Sequence, residues 1–215
     1  NSAHGIGTDI GQTGENGPSI FPITSLGVRG AFQVSEQWTV RAAILDATPG
    51  NPNALKRTSV SLKDGALLLG EIEHSRSKLK LIAGHWRYTN DFDTFNGDRS
   101  DGNAGYYLRG EAVLKGDHFD DKSALSVFAR IGGASAEHND FQAFYSIGVV
   151  QNDVFLSGDK LGLAIAIAET SSERKRIDPL ADRRETAIEL TYAVAVTDRI
   201  EIQPDIQYII APGTA

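Results

Sequence analysis

The chain has no cysteine, no methionine and only 7 prolines among its 215 residues. The absence of cysteine excludes a disulfide framework and thiolate metal sites. Because methionine is absent and no signal-peptide pattern opens the chain, we expect Asn1 to follow an earlier cut. No run of 18 apolar residues occurs, which excludes a transmembrane helix. A membrane is not excluded, because the strands of a transmembrane barrel carry their apolar residues only at every second position.

A basic excess is also missing. The net charge of -7 argues against a nucleic-acid partner, which would require a basic stripe. The five histidines are scattered without metalloprotease spacing, and neither a nucleophile elbow nor a phosphate-binding loop occurs. We therefore expect no enzyme activity, no metal and no cofactor.

What the sequence does contain is period-two alternation of apolar and polar residues, and no segment sustains a helical period. Most alternating segments have about 8 to 12 residues, which is longer than a typical globular strand and close to the roughly 9–11 residues of a membrane-spanning strand. The predicted strands are 26–34, 38–46, 66–73, 79–88, 106–115, 124–132, 141–150, 161–168, 185–196 and 200–210.

The two faces of these strands differ in character. In the ninth segment, Ile188, Leu190 and Tyr192 alternate with Glu185 and Glu189. A uniformly apolar face suits lipid, and a mixed face with small residues and charges suits a water-filled lumen. A soluble sandwich with one wet face gives the same alternation. A soluble or surface β-rich protein without a channel, binding carbohydrate or serving a structural role, therefore remains the alternative.

The connections alternate between short turns and long polar loops near both ends of the chain, and less clearly in the middle. This rhythm is typical of an all-β, transmembrane antiparallel β-barrel of the outer-membrane porin type. We expect residues 1–215 to form a single barrel domain that is incomplete, with residues 1–24 as an outer loop. Both chain ends would then lie outside the cell, whereas complete barrels keep them in the periplasm.

Several sequence motifs resemble the carbohydrate-selective porins of the OprB family. The most specific is QPDIQY at residues 203–208, which follows ETAIELTY at 185–192 and precedes APG at 211–213. FPITSLGVR at 21–29, VRAAILD at 40–46 and GHWRYT at 84–89 are also similar to family segments. The resemblance implies a barrel of about 16 strands. About ten of them are in this chain, without the N-terminal strands and the closing strand.

The resemblance further implies a function. It predicts a water-filled outer-membrane channel of a Gram-negative bacterium, used for passive and carbohydrate-selective diffusion. The expected partners are mono- or oligosaccharide solutes, outer-membrane lipid and lipopolysaccharide, with the protein as a monomer or a homo-oligomer.

Charged residues on the predicted lumen face are candidates for solute binding, because guanidinium forks and carboxylates can hydrogen-bond neighbouring hydroxyls. The alternative is that they form cross-strand ion pairs that stiffen the wall. A lumen with charges of both signs suits a neutral polar solute. The charged candidates are Arg29, Arg41, Arg109, Glu111, Arg130, Glu185, Glu189 and Asp205, and Glu71 and Glu73 share their face.

Aromatic residues near strand ends predict the girdles that mark membrane interfaces. The residues concerned are Trp38, Tyr88, Tyr106, Tyr107, Phe141 and Tyr208. Trp86 and Phe128 fall on the polar phase of their strands, so a sugar-stacking role is equally open for these two. The acidic loop at residues 90–103 could bind Ca²⁺, but it misses the EF-hand register, and we expect a solvated outer loop.

Overall fold

The computed structural model describes residues 24–49, 58–59 and 63–213, with no side-chain description at 24, 58 and 59. The expected outer loop at 1–24 therefore lies almost wholly outside the described residues. Long strands form wherever the sequence alternates with period two, because each such strand can put its apolar residues on one side of a sheet. The strands are β1 (Thr24–Ser25), β2 (Gly27–Gln33), β3 (Trp38–Asp46), β4 (Thr58–Ser59), β5 (Ala66–Arg76), β6 (Leu79–Tyr88), β7 (Phe92–Asp93), β8 (Arg99–Ser100), β9 (Ala104–Lys115), β10 (Leu125–Ala134), β11 (Phe141–Asn152), β12 (Lys160–Thr170), β13 (Arg184–Thr197), β14 (Ile200–Ile202) and β15 (Asp205–Ile210).

Eleven of these strands make one antiparallel meander, in which each long strand pairs with the long strands before and after it in the chain. Its order is β2-β3-β5-β6-β9-β10-β11-β12-β13, and β14 and β15 both pair with β13. Within the described residues, no pairing joins β2 to β14 or β15, so the barrel is not closed. The predicted fold class, an antiparallel transmembrane barrel, is confirmed.

The strand predictions agree closely with the structure. The bounds of β3 and β6 are those predicted, and most other strands extend by one to three residues. The strand predicted at 200–210 is interrupted between β14 and β15, because Pro204 has no N–H to donate to the ladder. Its carbonyl still accepts from the Tyr192 N–H at 3.1 Å, and the register with β13 continues across the break.

Alternation divides the sheet into an apolar face and a polar face, as predicted. On the apolar face, Leu163, Leu190 and Ile206 follow one another in register on adjacent strands, and all three are exposed. In the described part of the chain no second layer covers this face. On β5, β6 and β9 to β13, the side chains on the polar face are more buried than those on the apolar face. Lipid is the environment that an exposed, continuous apolar face requires.

The ends of the sheet differ in the length of their connections. One end, the turn end, has the connections 34–37, 77–78, 116–124, 153–159 and 198–199. The other, the loop end, has 47–65, 89–103, 135–140 and 171–183. The alternation of short turns with long loops is less clear in the middle of the chain. There, the turn-end connections 116–124 and 153–159 are long, and the loop-end connection 135–140 is short.

The described loops at the loop end are bound to one another. The Phe95 N–H donates to the Glu137 carbonyl at 3.1 Å, and the buried amides of Asn103 and Asn139 are hydrogen-bonded at 2.9 Å. The Ser171 N–H donates to the Asp140 carbonyl at 2.8 Å. Ser171 also caps helix α1 (Ser172–Ile177), whose Arg176 contacts Asn96 of the 90–103 loop. These contacts join three loops into one cap.

No helix in the described part of the chain has the length and apolar character of a membrane span.

The turn at 153–159 is organised by one carboxylate. Asp159 is fully buried, and its oxygens accept from the backbone N–H groups of Val154, Phe155 and Leu156 at 2.7 to 3.0 Å. The Tyr192 hydroxyl donates to the same carboxylate at 2.7 Å. Burial opposes ionisation, but the hydrogen bonds outweigh it and lower the pKa of Asp159 to about 2.

This lowered pKa predicts an acid-sensitive turn. The stabilisation is present above the unfolded pKa of about 3.9. It is lost as the pH falls through about 2, because protonation removes the charge that accepts the hydrogen bonds. Hydrogen-exchange protection factors of the amides of Val154, Phe155 and Leu156 should fall between these two pH values. Asp159→Asn should show low protection without this pH dependence, and unchanged protection of the unsubstituted protein at pH 2 would contradict the prediction.

The assignment of the two faces predicts different costs for one substitution at neighbouring positions. Leu190 lies mid-strand on the apolar face, and Thr191 lies on the polar face beside Glu189 and Asp205. Leu190→Arg should lower the free energy of unfolding from lipid vesicles by about 2–4 kcal/mol, since it places a charge in hydrocarbon. Thr191→Arg, the matched control, should cost much less. Equal costs in denaturant titrations would mean that the faces are assigned wrongly.

Candidate functional site

The candidate site is the polar face of the sheet, and its first part is a network of five side chains on β3, β5, β6 and β9. Arg41 Nη1 donates to Glu71 Oε1 at 2.8 Å and to Glu73 Oε2 at 2.9 Å. The Tyr107 hydroxyl donates to Glu71 Oε2 at 2.7 Å, and Lys80 Nζ lies 3.7 Å from Glu73. Direct cross-strand pairing places Arg41 opposite Glu71, so the backbone register itself brings these groups together.

Two further arginines lie opposite each other on β9 and β10. Arg109 is exposed on the polar face, with Nη2 3.4 Å from Glu111 Oε1. Arg130 is only 8% exposed, because its guanidinium carbon lies 5.9 Å from the ring centre of Tyr107 and 5.5 Å from that of Phe144. Cation–π contact offsets part of the cost of placing two cations in one cross-strand pair. Arg109 is therefore the more accessible of the two to a solute.

The other side of the polar face is acidic. The Gln207 amide donates to Glu189 at 2.8 Å, and the Thr191 hydroxyl donates to Asp205 at 2.6 Å. Glu185 accepts from the backbone N–H of Gly213 at 2.8 Å. The polar face of β13, β14 and β15, all within the described residues, carries four carboxylates and no basic side chain; these are Glu185, Glu189, Glu201 and Asp205. The cations lie on β2, β3, β6, β9, β10 and β12, so charge is unevenly distributed across the wall.

The two aromatic candidates have different surroundings. Trp86 is fully buried against Leu67, Tyr88 and Phe92, so in this conformation it offers no ring face to a solute. Phe128 is half-buried, and its ring lies over Gly148 of the adjacent strand. A Cβ atom at position 148 would lie 2.4 Å from Phe128 Cζ, so glycine leaves the space that the tip of the Phe128 ring occupies.

The girdle prediction requires rings that are exposed on the apolar face, and Trp38, Tyr106 and Tyr208 are exposed there. It is wrong for Tyr88, Tyr107 and Phe141. Tyr88 and Tyr107 lie on the polar face by register, and Phe141 is buried with Phe144, Ala166 and Ala168. The cause at Phe141 is a shift in register between Phe141 and Ala143, which breaks the alternation at the strand start.

Register places all ten predicted binding residues on one face, in agreement with the sequence phase, and Arg29 is exposed there opposite Ala43. Trp86 shares that face but is covered. Their contact with a solute stays a prediction. The sequence analysis missed Tyr107, Lys80, Thr191 and Gln207 as partners in the networks. The period-two alternation could have placed Lys80 and Gln207 on the polar face. Their hydrogen-bond partners could not be predicted, because these depend on the cross-strand register.

The acidic loop at 90–103 makes contacts within the loop end. Arg99 donates to the Asp91 carbonyl at 2.7 Å, and Asp101 lies 3.6 Å from Arg87. Within residues 24–49, 58–59 and 63–213, no three acidic, histidine or cysteine side chains are grouped as a metal ion would require.

An open antiparallel sheet of long strands, with an apolar outer face and charges of both signs inside, defines a transmembrane β-barrel of porin type. The sequence profile of the "Carbohydrate-selective porin, OprB family" matches residues 1–215. The chain therefore belongs to the OprB family of porins, which are not enzymes and lie in the outer membrane of Gram-negative bacteria.

Two comparisons agree with this membership. The chain is 22% identical to Porin B of Pseudomonas aeruginosa over 90% of its own length and 52% of the relative's. It is similar to the high-pH structure of Pseudomonas putida OprB with a TM-score of 0.73 and 18% identity, covering 87% of this chain and 54% of that one. The chain thus spans about half the length of these relatives, and the second likeness supports the fold.

The Arg41 network predicts a stabilising role for one arginine and not for its neighbour. Arg41→Met would leave Glu71 and Glu73, both mostly buried, without their shared donor. We expect a loss of about 1–2 kcal/mol in the free energy of unfolding, after allowing for solvent screening. Arg29→Met, on the adjacent strand and exposed, should change it by less than about 0.5 kcal/mol. Denaturant titration in detergent micelles measures both, and similar losses would refute the network's role.

Proposed function

We propose that the protein is a passive, water-filled channel through which mono- and oligosaccharides diffuse across the outer membrane. The observation that carries this proposal is the contrast between the two faces of one sheet. The apolar face needs lipid, and the polar face presents charges of both signs that are already held by neighbouring side chains. Membership of the carbohydrate-selective family supports the same solute class.

The held charges suit weak binding of neutral solutes. Arg41 and Glu71 neutralise each other at 2.8 Å, so the wall has little net attraction for a single ion there. Exposed groups such as Arg109 on β9, Glu201 on β14 and Asp205 on β15 can still exchange hydrogen bonds with hydroxyls for those with water. Each exchange gains little net free energy, as a conducting pore requires for release.

The same reasoning extends to partners and domain organisation. Outer-membrane lipid would contact the apolar face, and lipopolysaccharide would contact the charged loop end. Residues 1–215 would belong to a single barrel domain. The polar face can work in this way in a monomer or in a homo-oligomer.

A soluble carbohydrate-binding module is the second candidate. It would need a second protein layer over the apolar face, and none is present in the described residues, where Leu163, Leu190 and Ile206 stay exposed.

Planar-bilayer recordings on the full-length protein test the channel. We expect open-channel current that falls when sugar is added. Arg109→Ala should weaken this block by about two- to fivefold, since it removes one accessible hydrogen-bonding group. Arg87→Ala is the matched control, because Arg87 lies on the opposite face near the loop end.

The outcomes separate the candidates. If sugar blocks the current through Arg109→Ala as strongly as before, Arg109 has only a structural role. Absence of any open-channel current, or solubility without detergent, would overturn the channel itself.

A further inference from the structure

One row of residues crosses the polar face at right angles to the strands. Direct cross-strand pairs on β9, β10, β11, β12, β13 and β15 connect its members. In order they are Glu111, Phe128, Gly148, Ala164, Glu189 and Gln207. The row thus has a carboxylate beside an aromatic ring, then a floor of two small residues, then a second carboxylate with its amide partner.

Two grooves lie on either side of the Phe128 ring. The first, here called the arginine groove, has a volume of about 300 Å³ and is lined by Arg109, Glu111, Ser126, Arg130 and Ser146 together with Phe128. The second, here called the acidic groove, has a volume of about 370 Å³, and its polar lining is Lys160, Glu189, Thr191, Glu201 and Gln203. Phe128 borders both. Both volumes fall within the range of small-molecule sites.

The wall geometry places the ring at the border of both grooves. Gly148 leaves room for the Phe128 ring, and Ala164 continues the low floor towards Glu189. Three strand spacings separate Phe128 from Glu189, which is roughly 14 Å. A single pyranose ring is shorter than this distance and fills one groove at a time. A chain of linked pyranoses reaches both.

From this row we propose that the wall carries a binding track for a short oligosaccharide, with Phe128 as the stacking platform between two hydroxyl-binding grooves. This inference rests on the proposed channel function and names the length of its preferred solute. The apolar C–H face of a pyranose packs on the aromatic ring. The equatorial hydroxyls of that pyranose donate to Glu111, those of the next linked pyranose donate to the carboxylates of the acidic groove, and Arg109 donates to hydroxyl oxygens.

The test compares glucose and maltose as blockers of the current through the full-length protein in planar bilayers. The unsubstituted channel should bind maltose several-fold more tightly than glucose. Phe128→Leu keeps apolar bulk but removes the ring, and should weaken maltose binding about five- to tenfold while changing glucose binding less than about twofold. Phe128→Trp should restore maltose binding. Phe155→Ala, which removes a ring exposed in the 153–159 turn and outside both grooves, should leave both sugars unaffected.

Failure of the track differs from failure of the channel. Current with no preference for maltose, or Phe128→Leu weakening both sugars equally, would overturn the track and leave the channel standing. No open-channel current would overturn both. A maltose preference that is lost in Phe128→Leu and regained in Phe128→Trp would establish the track.

Discussion

The backbone ladder is the constraint on which the rest of the structure depends. In a bilayer no water is available to unpaired backbone groups, so each long strand must pair along its length with both neighbours. Pairing fixes the register, and a slip of one residue would move every apolar side chain into the lumen. The shifts in register lie near strand ends, at Leu125/Ser126, Phe141/Ala143 and Ala195/Thr197. The middle of the sheet is therefore regular, and rows such as the one through Phe128 run unbroken across the wall.

Regular pairing also explains how aromatic rings are accommodated against the sheet, on its polar face and, at Tyr106, on its apolar face. Four rings lie over a glycine that is their direct cross-strand partner; the pairs are Trp86 with Gly105, Tyr107 with Gly84, Phe128 with Gly148 and Tyr106 with Gly133. A Cβ atom on any of these glycines would lie 2.9 Å or less from the ring. On the polar face, the pairing of a ring with a glycine lets the ring lie against the wall and leaves space beside it. The positions of these pairs therefore determine where grooves can form.

The sequence predicted the strands and their faces well because period-two alternation is a local property, decided by residues two positions apart. It predicted β3 and β6 to the residue for this reason. It could not place Phe141, whose orientation depends on a register shift against β12, nor Tyr107, whose partner Glu71 is 36 positions away. Helix α1 was missed although Ser171 and the charges of 172–177 follow the capping preferences, because its six residues are too few for a periodic signal.

Side-chain partnership then decides which charged residues can act on a solute. Arg41 is held by two carboxylates and Arg130 by two aromatic rings, so both have their donors or faces engaged by the wall. Arg109 and Glu111 are more exposed and share a 3.4 Å contact that a competing hydroxyl can enter. The side chains that are held by neighbours make the wall rigid. A rigid wall presents its exposed charged side chains to a solute without an entropic cost of ordering them at each encounter. The weak and repeated contact with a neutral solute that we propose would follow from that division, since strong binding would need the charges that the wall has already paired.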